Sequence, residues 1–406
     1  MDFRELSMNK TICIVGGGSA GWMVAAYLAK NTPHTISLIE SKNIPIIGVG
    51  ESTFASMPTF LTELGITDED IYKDCSAVRK YAIKHHNWNG DGETWTHRFC
   101  YSDDDIEQQD ALMNDYAIPE EKWRYGFHLD ATKLGLLIKE KSAIPNGVEH
   151  IIDDIIDVNV TNGQVDSIVG NNAVYTADMF VDCTGFKALL RGKLPAEYKS
   201  HNALINNCAV CGPGTYDNDE APLPYTETWA MDYGWKWRVC LQHRTGNGYA
   251  FNKDMISVEE ATQEFIKTTP GLNKDKIFVV DINNTYNPEP WKGNVISFGL
   301  SCGFLEPLEA TGLYLVYGPL EFFTRLLDDP KGAQKFNRLW NRLYTHVTEF
   351  VSHQFTTSKL NHTEYWKSIP KVDKVEPKHV HFNNSVFTYY NYKLLADVRN
   401  LPLVVK

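Results

Sequence analysis

The chain has 406 residues, of which 43% are hydrophobic and 22% are charged, and its formal net charge at pH 7 is −12. These values are ordinary for a globular protein with a large buried core. The excess of negative charge disfavours a general binder of nucleic acids or acidic membranes. The sequence shows no leader-like or membrane-spanning apolar run, so we expect a cytoplasmic protein.

The first predicted element is a buried strand over residues 12–15, followed by three glycines in a G-x-G-x-x-G pattern. In such a loop the first glycine allows a tight turn, the second lets a pyrophosphate approach the backbone, and the third lets a helix pack against the strand. The apolar segment after it predicts a helix whose free N–H groups point at the phosphates. The candidate cofactor contacts in this loop are Gly16, Gly18, Ser19, Ala20 and Gly21.

A second predicted strand, residues 35–39, ends in Glu40, 19 residues after Gly21. A carboxylate at about this offset typically accepts hydrogen bonds from the ribose hydroxyls of a dinucleotide. A glutamate in place of an arginine argues against a ribose phosphate, so the sequence predicts FAD or NAD. An ordinary α/β turn is the alternative interpretation of the glycines.

Residues 48–53 combine two glycines, a carboxylate and two hydroxyls. This composition suits a loop that bends over a ligand, which makes Gly50, Glu51 and Ser52 candidate cofactor contacts. The alternative is a plain strand-to-helix loop with Ser52 as the N-cap residue. Alternation over residues 79–85 then predicts a strand that carries Lys80 and Lys84, although on the pattern alone both could be surface lysines.

The middle of the chain alternates between short predicted elements. The acidic run 103–105 predicts a solvated turn instead of a metal site. A helix is predicted from about Asp130 to residue 141, and hairpin-like strands follow up to residue 177. A buried strand at 179–182 runs into Asp182, Cys183, Thr184 and Gly185, a turn able to approach a nucleotide.

Strand-like segments over residues 201–285 predict a largely antiparallel sheet that covers the ligand. Cys208 and Cys211 form a C-x-x-C pair, which is either a redox pair or, more commonly, two small buried residues. After a strand at 295–298, the chain is broken at Gly299, Gly303 and Pro307. A long apolar helix is then predicted from near Thr311, a second helix at 335–355, and a less regular tail.

Several of these segments, in order, resemble the flavin-dependent halogenases of the tryptophan-halogenase family. The matching motifs span about residues 10–370 and read VGGGSAGWM, IPIIGVGESTFASMP, RKYAIKHHNW, VDCTGF and GLSCGFLEPLEATGLY. The resemblance implies an α/β fold like that of the flavoprotein monooxygenases. Its FAD-binding domain is of the Rossmann βαβ type, an antiparallel sheet is inserted into the chain, and the C-terminal helical region is reduced. The implied division is a discontinuous FAD-binding domain (1–100, 128–200 and 285–330), substrate-covering segments (101–127 and 201–284) and a C-terminal helical segment (331–406).

The resemblance also assigns site residues. Lys80 and Glu309 match the catalytic lysine and carboxylate, and the backbone of Thr311 and Gly312 matches the halide site. His97 and Phe99 fall where the family places residues that contact the substrate ring, with core packing as the alternative. The turns at Asp182 and Gly299 match cofactor contacts, and no metal is implied.

The implied chemistry is the oxidation of halide by reduced FAD and O2 to hypohalous acid. Lys80 relays the halogen to an electron-rich aromatic small molecule, and Glu309 polarises the oxidant or accepts the ring proton. A separate flavin reductase supplies FADH2, and a homo-oligomer is compatible with the sequence. Because bromide and iodide are easier to oxidise and less tightly hydrated than chloride, we expect them to be used at least as well.

Two features depart from the family pattern. The W-x-W-x-I-P segment, which in the family restrains monooxygenase chemistry, ends in Val239 and Cys240 here. The chain also ends at Lys406, before the long helical region that closes over tryptophan, which predicts a more open pocket and a looser substrate range. The alternatives are an aromatic hydroxylase on the same scaffold, a non-catalytic flavin protein that uses Cys208 and Cys211, and an NAD-dependent dehydrogenase.

Overall fold

The computed structural model describes residues 9–44, 50–99, 124–216, 221–377 and 387–404. The acidic turn predicted at 103–105 and the first part of the loop predicted at 48–53 lie outside these ranges. The strands are β1 Thr11–Val15, β2 Thr35–Glu40, β3 Glu51–Ser52, β4 Val78–Lys80, β5 Ala82–His86, β6 Thr94–Arg98, β7 Gly126–Leu129, β8 Glu149–Ile152, β9 Ile155–Thr161, β10 Gln164–Gly170, β11 Val174–Tyr175, β12 Met179–Asp182, β13 Lys199–Ser200, β14 Cys208–Gly214, β15 Tyr225–Met231, β16 Gly234–Cys240, β17 Thr245–Phe251, β18 Phe278–Asp281, β19 Thr285–Tyr286, β20 Trp291–Lys292 and β21 Val295–Ser297.

The helices connect and cover these strands. The α-helices are α1 Ser19–Asn31, α2 Met57–Glu63, α3 Asp68–Asp74, α4 Ala131–Ile138, α5 Val258–Thr268, α6 Tyr314–Tyr317, α7 Leu320–Leu326, α8 Gly332–Thr356, α9 Glu364–Ser368 and α10 Tyr389–Arg399. A π-helical turn, Lys139–Ala143, extends α4. Short 3-10 turns occur at Gly185–Lys187, Arg191–Lys193, Lys274–Lys276, Gly299–Ser301 and Pro307–Glu309.

A six-stranded sheet in the order β20-β21-β12-β1-β2-β8 forms the nucleotide-binding half of the fold. All of its neighbouring pairs are parallel except β20 with β21. Four of the five residues of β1 are buried, and α1 buries an unbroken run from Gly21 to Leu28. A parallel sheet covered by a crossover helix is the βαβ unit predicted from the glycine loop, and ligands of such sheets bind at the carboxyl ends of the strands.

A seven-stranded sheet in the order β18-β14-β17-β16-β15-β5-β6 forms the second half. It is antiparallel except where β15 pairs with β5. The sequence predicted this sheet from residues 201–285 and grouped residues 1–100 with the FAD-binding domain. In the structure, however, β5 and β6 belong to the second sheet, because Tyr225–Trp229 pair with Ala82–His86.

A separate small sheet has three strands in the order β3-β7-β4. Lys80, the last residue of β4, pairs with Gly126 of β7. The predicted strand at 79–85 is therefore interrupted at Tyr81, which separates β4 from β5. The predicted helix at 130–141 is present, and the Asp130 side chain caps it by accepting from the N–H groups of Thr132 and Lys133.

The C-terminal third is helical, as predicted. Helix α8 buries residues at helical spacing, including Phe336, Trp340, Tyr344 and Val347, which places one face against the core. The tail, which the sequence left irregular, contains α10 with a capping box between Thr388 and Asn391. In the described part of the chain, no helix combines the length and apolar character that a membrane crossing requires.

Candidate active site

The glycine loop follows β1 and leads into α1. Gly16 has φ +113°, and a Cβ there would lie 2.3 Å from the carbonyl oxygen of Cys183. A Cβ on Gly21 would lie 1.9 Å from the carbonyl oxygen of Gly16. Only glycine fits at these two positions. A Cβ on Gly18, in contrast, would meet no protein atom within 4 Å, so the space in front of it is open.

The helix end beside this open space has no side-chain cap. Gly18 is the N-cap residue of α1, and the first turn contains no acidic residue. The hydroxyl of Ser19 donates to the carbonyl oxygen of Ala131 at 2.7 Å, which leaves the backbone as the part of Ser19 available to a ligand. Free N–H groups and the positive end of the helix dipole suit a pyrophosphate. Gly16, Gly18, Ser19, Ala20 and Gly21 are thus brought together as predicted.

Glu40 ends β2 directly beside the glycine loop. A Cβ on Gly17 would lie 1.8 Å from its Oε2 atom. Its Oε1 atom lies 2.7 Å from Nε2 of His150 and 3.4 Å from Nζ of Lys139. One oxygen is thereby held by neighbouring side chains while the other faces the loop, which fits the ribose-binding role predicted for it.

The segment at 50–52 leads into and forms the edge strand β3 of the small sheet. Gly50 has φ +97°, and Glu51 and Ser52 pair with β7. Burial raises the pKa of Glu51, and the negative charge of Asp130 raises it further. The hydroxyl of Ser52 lies 3.0 Å from Oγ1 of Thr226, so its side chain links the small sheet to the seven-stranded sheet.

The turns at Asp182 and Gly299 lie at the ends of neighbouring parallel strands, beside the glycine loop. A Cβ on Gly299 would lie 3.0 Å from Cβ of Ala20. The carboxylate of Asp182, however, accepts hydrogen bonds from the N–H groups of Thr184, Leu190 and Arg191 and from the Thr184 hydroxyl. Asp182 is thus a structural residue that shapes the turn, and only the turn backbone remains a candidate cofactor contact.

Lys80 is completely buried at the end of β4. Its Nζ atom donates to the carbonyl oxygen of Thr53 at 3.3 Å and lies 4.7 Å from the centre of the Phe99 ring. Burial lowers the pKa of Lys80 to about 7, and the charge of the nearby Glu309 carboxylate opposes this shift. A large share of Lys80 is therefore the neutral amine near neutral pH, unlike a surface lysine.

Glu309 ends the 3-10 turn Pro307–Glu309 and is 1% exposed. Its Oε2 atom lies 2.6 Å from Nδ1 of His97. Its Oε1 atom accepts from Nε2 of Gln354 at 2.7 Å. The structure thus brings Lys80 and Glu309 into the same buried region, and a neighbour on each carboxylate oxygen fixes the orientation of Glu309.

His97 has both ring nitrogens engaged. The amide oxygen of Asn391 lies 2.6 Å from the backbone nitrogen of Thr388, which can only donate. The amide nitrogen of Asn391 therefore faces Nε2 of His97, at 2.9 Å. The ring of Phe350 lies 5.2 Å from that of His97. The predicted stacking of His97 on substrate is not supported by this arrangement, in which His97 is a buried partner of Glu309.

Phe99 lies next to the amine of Lys80 in a group of packed aromatic rings. Its centroid is 5.5 Å from that of Phe54. Phe54 in turn lies 5.7 Å from Phe387 and 5.6 Å from Tyr314. Rings of this kind offer an apolar, flat surface to an aromatic substrate. The role of Phe99 as a substrate contact therefore stays a prediction.

The predicted halide turn directly follows Glu309. Ala310 adopts φ +58°, and a Cβ on Gly312 would meet no atom within 4 Å. The Oγ1 atom of Thr311 is buried and has no hydrogen-bond partner among the described residues. The long helix predicted from near Thr311 is wrong, because α6 spans only Tyr314–Tyr317 and is broken at Gly318. The unpaired hydroxyl and the open space, not a helix dipole, are what suit an anion here.

Three buried side chains, His85, His97 and Glu309, place one nitrogen or oxygen atom each within 4.8 Å of one another. Two histidines and a carboxylate are a common donor set for divalent metals. Because Nε2 of His97 accepts from Asn391, a neutral His97 carries its proton on Nδ1, the atom that faces Glu309. A protonated Nδ1 has no lone pair for a metal, so the bonding favours a hydrogen-bonded cluster.

Comparison with known proteins places this arrangement in context. The family model for tryptophan halogenase matches residues 11–111 and 106–388. The chain is 30% identical to tryptophan 7-halogenase RebH of Lentzea aerocolonigenes over 88% of this chain and 78% of that protein. It is 27% identical to tryptophan 6-halogenase ThaL of Streptomyces albogriseolus over 91% of this chain and 81% of that protein.

This chain belongs to the tryptophan halogenase family.

A solved structure supports the same assignment: the tryptophan 6-halogenase SttH of Streptomyces toxytricini matches with a TM-score of 0.86 and 25% identity over 95% of this chain and 90% of that chain. The family, the flavoprotein fold and the enzyme class expected from the sequence, a flavin-dependent halogenase, are thereby confirmed.

The altered W-x-W segment of this halogenase is strand β16. The indole nitrogen of Trp235 donates to Oε2 of Glu306 at 2.7 Å. Glu306 is fully buried, and burial raises its pKa to about 7 in spite of donors from Trp235 and Asn206. Since Glu306 immediately precedes the 3-10 turn Pro307–Glu309, this bond connects the W-x-W strand to the turn that carries Glu309.

The C-terminal segment of this halogenase lies directly on the site. Asn391 of α10 bonds to His97, and the ring of Phe387 stacks on that of Phe350 with centroids 4.0 Å apart. Lys80 and Glu309 are 0% and 1% exposed. Within the described residues, the open pocket expected from the shorter chain is thus not seen around these two residues.

The C-x-x-C pair gives no support to a redox function. Cys208 and Cys211 are three residues apart in β14, so their side chains point to opposite faces of the sheet. Cys208 packs with Tyr249 and Phe251, whereas Cys211 belongs to the main core. Burial raises the pKa of both thiols. They are two buried core residues.

Sequence reasoning missed three members of the site, namely His85, Gln354 and Asn391. His85 lies beside Lys84 in β5 and was not singled out by the alternation of that strand. Gln354 lies near the end of helix α8 and belonged to none of the recognised motifs. The sequence around Asn391 indicates only the capping box that Asn391 forms with Thr388, and nothing in it indicates a contact with the site. His85 and Gln354 are recognised by their contacts with Glu309, and Asn391 by its hydrogen bond with His97.

Proposed function

We propose that this halogenase uses FAD, supplied as FADH2 by a separate reductase, to halogenate an electron-rich aromatic small molecule. The fit of the dinucleotide is supported by the open space at Gly18, the uncapped end of α1 and the free side of Glu40. The adenosine and pyrophosphate would be held by these residues. The segment at 50–52 and the Gly299 turn would lie against the rest of the cofactor.

Reduced FAD bound there would supply, together with O2, the two-electron oxidation of a halide ion to hypohalous acid, with water as the other product. The halide would be held at Thr311 and Gly312. A buried unpaired hydroxyl is costly unless a ligand satisfies it, and the Thr311 hydroxyl can donate to an anion. Gly312 leaves room for the anion to approach the backbone.

Lys80 is the residue that carries the proposal. A neutral amine has a lone pair, so it can accept a hydrogen bond from hypohalous acid or exchange one N–H hydrogen for halogen with release of water. An ammonium group can do neither. Burial brings the pKa of Lys80 to about 7, which makes the reactive form available near neutral pH.

Glu309 would complete the substitution. When the aromatic carbon gains the halogen, it must lose its proton, and a carboxylate oriented within reach can accept it. The structure orients Glu309 by His97 and Gln354 and leaves it close enough to Lys80 to affect that amine. Holding both groups in one buried region limits indiscriminate attack by free hypohalous acid.

The decisive experiment is a product screen by mass spectrometry. Indoles, phenols and anilines are incubated with the enzyme, FAD, a flavin reductase, NADH and each halide in turn. We expect mass shifts that follow the halide and vanish when it is omitted. A hydroxylated product that forms without halide would instead support the aromatic hydroxylase, and no product from enzyme fully loaded with FAD would contradict both.

A further inference from the structure

The hydrogen bonds around His97 define where its proton lies. Thr388 donates from both its backbone nitrogen and its hydroxyl to the Asn391 amide oxygen, at 2.6 and 3.0 Å. The amide nitrogen is therefore the atom that meets Nε2 of His97. An amide nitrogen only donates, so Nε2 must accept. The neutral ring then carries its hydrogen on Nδ1 and donates it to Glu309, 2.6 Å away.

Each carboxylate oxygen of Glu309 has its own hydrogen-bond donor, and the two donors together fix the orientation of the carboxylate. Gln354 donates to the second carboxylate oxygen, and the Gln354 backbone carbonyl accepts from Arg399 of α10 at 3.3 Å. Both donors to Glu309 are thus connected to the C-terminal helix α10. His97 bonds to Asn391 of this helix, and Gln354 bonds to Arg399 of the same helix. Asn391 and Arg399 both lie outside the nucleotide-binding sheet.

We propose that Asn391 and His97 are positioning residues that hold Glu309 for proton acceptance, so that helix α10 completes the active site. This inference rests on the proposed function. If Nε2 of His97 lost its donor, the ring would be free to carry its hydrogen on Nε2. Nδ1 would then present a lone pair to the Glu309 carboxylate, and two acceptors 2.6 Å apart repel each other.

The substitution Asn391→Asp tests the direction of this bond with little change in shape. An aspartate at this position can still accept from Thr388 and cap α10, but it can only accept from His97. Asn283→Asp, at an exposed position, introduces the same chemical change away from the site. We expect Asn391→Asp to lower kcat for aromatic halogenation on the order of 10–100-fold, with KM nearly unchanged, and Asn283→Asp to leave both unchanged.

Two further readouts separate positioning from a general structural role. Hypohalous acid formation, measured with a chemical trap, should be the same in wild type and Asn391→Asp, because it precedes the step at Glu309. His97→Asn, whose amide nitrogen can replace Nδ1 as donor, should keep at least about ten times the kcat of His97→Gln. In the His97→Asn background, Asn391→Asp should have little additional effect, since the two residues act as one unit.

A measurement independent of activity fixes the tautomer. Long-range ¹H–¹⁵N spectra of protein labelled at histidine, with the His97 signals assigned by their loss in His97→Asn, should show hydrogen on Nδ1 in wild type. Hydrogen on Nε2 in wild type, or equal kcat for wild type and Asn391→Asp, would overturn the proposal. If wild type halogenates nothing, the proposed function fails, while this spectrum still decides the state of His97.

Discussion

Nδ1 of His97 lies 2.6 Å from Oε2 of Glu309, although the two residues are 212 positions apart in the chain. The contact joins β6 of the antiparallel sheet to the turn that follows the parallel sheet. Glu309 is therefore fixed at the junction of the two halves of the fold, where Lys80 also lies. Five elements that are distant or separate in sequence each contribute one residue to this cluster: β5, β6, the 3-10 turn Pro307–Glu309, α8 and α10. The residues are His85, His97, Glu309, Gln354 and Asn391.

The first prediction concerns Glu309. In Glu309→Gln, one carboxylate oxygen is replaced by an NH2 group, which would face a donor from either His97 or Gln354. We expect halogenation to fall about 100-fold or more because no base accepts the ring proton, and the free energy of unfolding to fall by about 1–3 kcal/mol because one buried donor loses its acceptor. FAD binding should persist.

The control for this change is Glu364→Gln, whose side chain is 81% exposed. It should alter neither turnover nor unfolding measurably. Product formation by chromatography and thermal unfolding by fluorescence check both variants. Halogenation by Glu309→Gln at the wild-type rate would remove Glu309 from the reaction.

The second prediction concerns Lys80 and activity. Lys80→Met keeps the length and apolar stem of the side chain but removes the amine. We expect halogenation to fall at least about 100-fold, while flavin absorbance of the purified protein and hypohalous acid formation remain. Lys84→Met, on the neighbouring strand β5, is the matched control and should keep most of the activity. Equal activity of the two variants would argue for a hydroxylase or for diffusion of free oxidant.

The third prediction concerns stability and pH. Burial lowers the pKa of Lys80 from 10.5 to about 7 in the folded protein, so between these values the unfolded chain binds more protons than the folded one. The contribution of Lys80 to the free energy of unfolding therefore rises with pH across this window and is most unfavourable below about pH 7. Lys80→Met should thus be more stable than wild type near pH 7, by a few kcal/mol at most.

Chemical denaturation at several pH values tests this sign. The stability difference between Lys80→Met and wild type should shrink as the pH rises from 7 towards 10. The same group should shape activity: halogenation should rise with pH through about 7, where half of the amine is neutral, and level off about one pH unit higher, because only the neutral amine reacts. A stability difference that grows with pH would contradict the assignment of a neutral, buried amine.

Much of the nucleotide-binding half could be predicted because its signals are local. Gly16, Gly18 and Gly21 have the steric roles that their spacing implied, and Glu40 ends its strand beside them. The capping residue Asp130 likewise needs only its own helix. In contrast, the partners of Glu309 come from distant segments whose meeting depends on the tertiary fold, so no pattern could reveal Gln354 or Asn391.

The errors have equally specific causes. Helix α5 was missed within a region predicted as strands, although Ser257 and Glu260 form a capping box at its start. The helix predicted after Thr311 is divided because Gly318 and Pro319 follow α6 after one turn. The substrate contact of His97, which came from the resemblance, stays a prediction, and its hydrogen bonds with Glu309 and Asn391 favour the alternative of a packed core residue.

The fourth prediction concerns the choice of halide. The buried Thr311 hydroxyl must replace water around the ion, and chloride is the most tightly hydrated of the three halides considered. Chloride is also the hardest of them to oxidise. Competition with equal concentrations should therefore give brominated or iodinated product in at least the amount of chlorinated product. Exclusive chlorination would show that the site compensates for hydration more strongly than these residues suggest.

The last prediction compares two glycines of the same loop. A Cβ at Gly21 would lie 1.9 Å from the carbonyl oxygen of Gly16, whereas a Cβ at Gly18 would meet no protein atom within 4 Å. Gly21→Ala must therefore separate α1 from the loop, and we expect a loss of stability of several kcal/mol or a failure to fold. Gly18→Ala should fold with nearly the wild-type Tm, because the added methyl group enters open space.

If that space receives the pyrophosphate, Gly18→Ala should still weaken FAD binding, by about ten-fold or more. Thermal unfolding of the apoprotein and titration with FAD separate the two effects. Wild-type FAD affinity in Gly18→Ala would mean that the cofactor does not approach the backbone at this glycine.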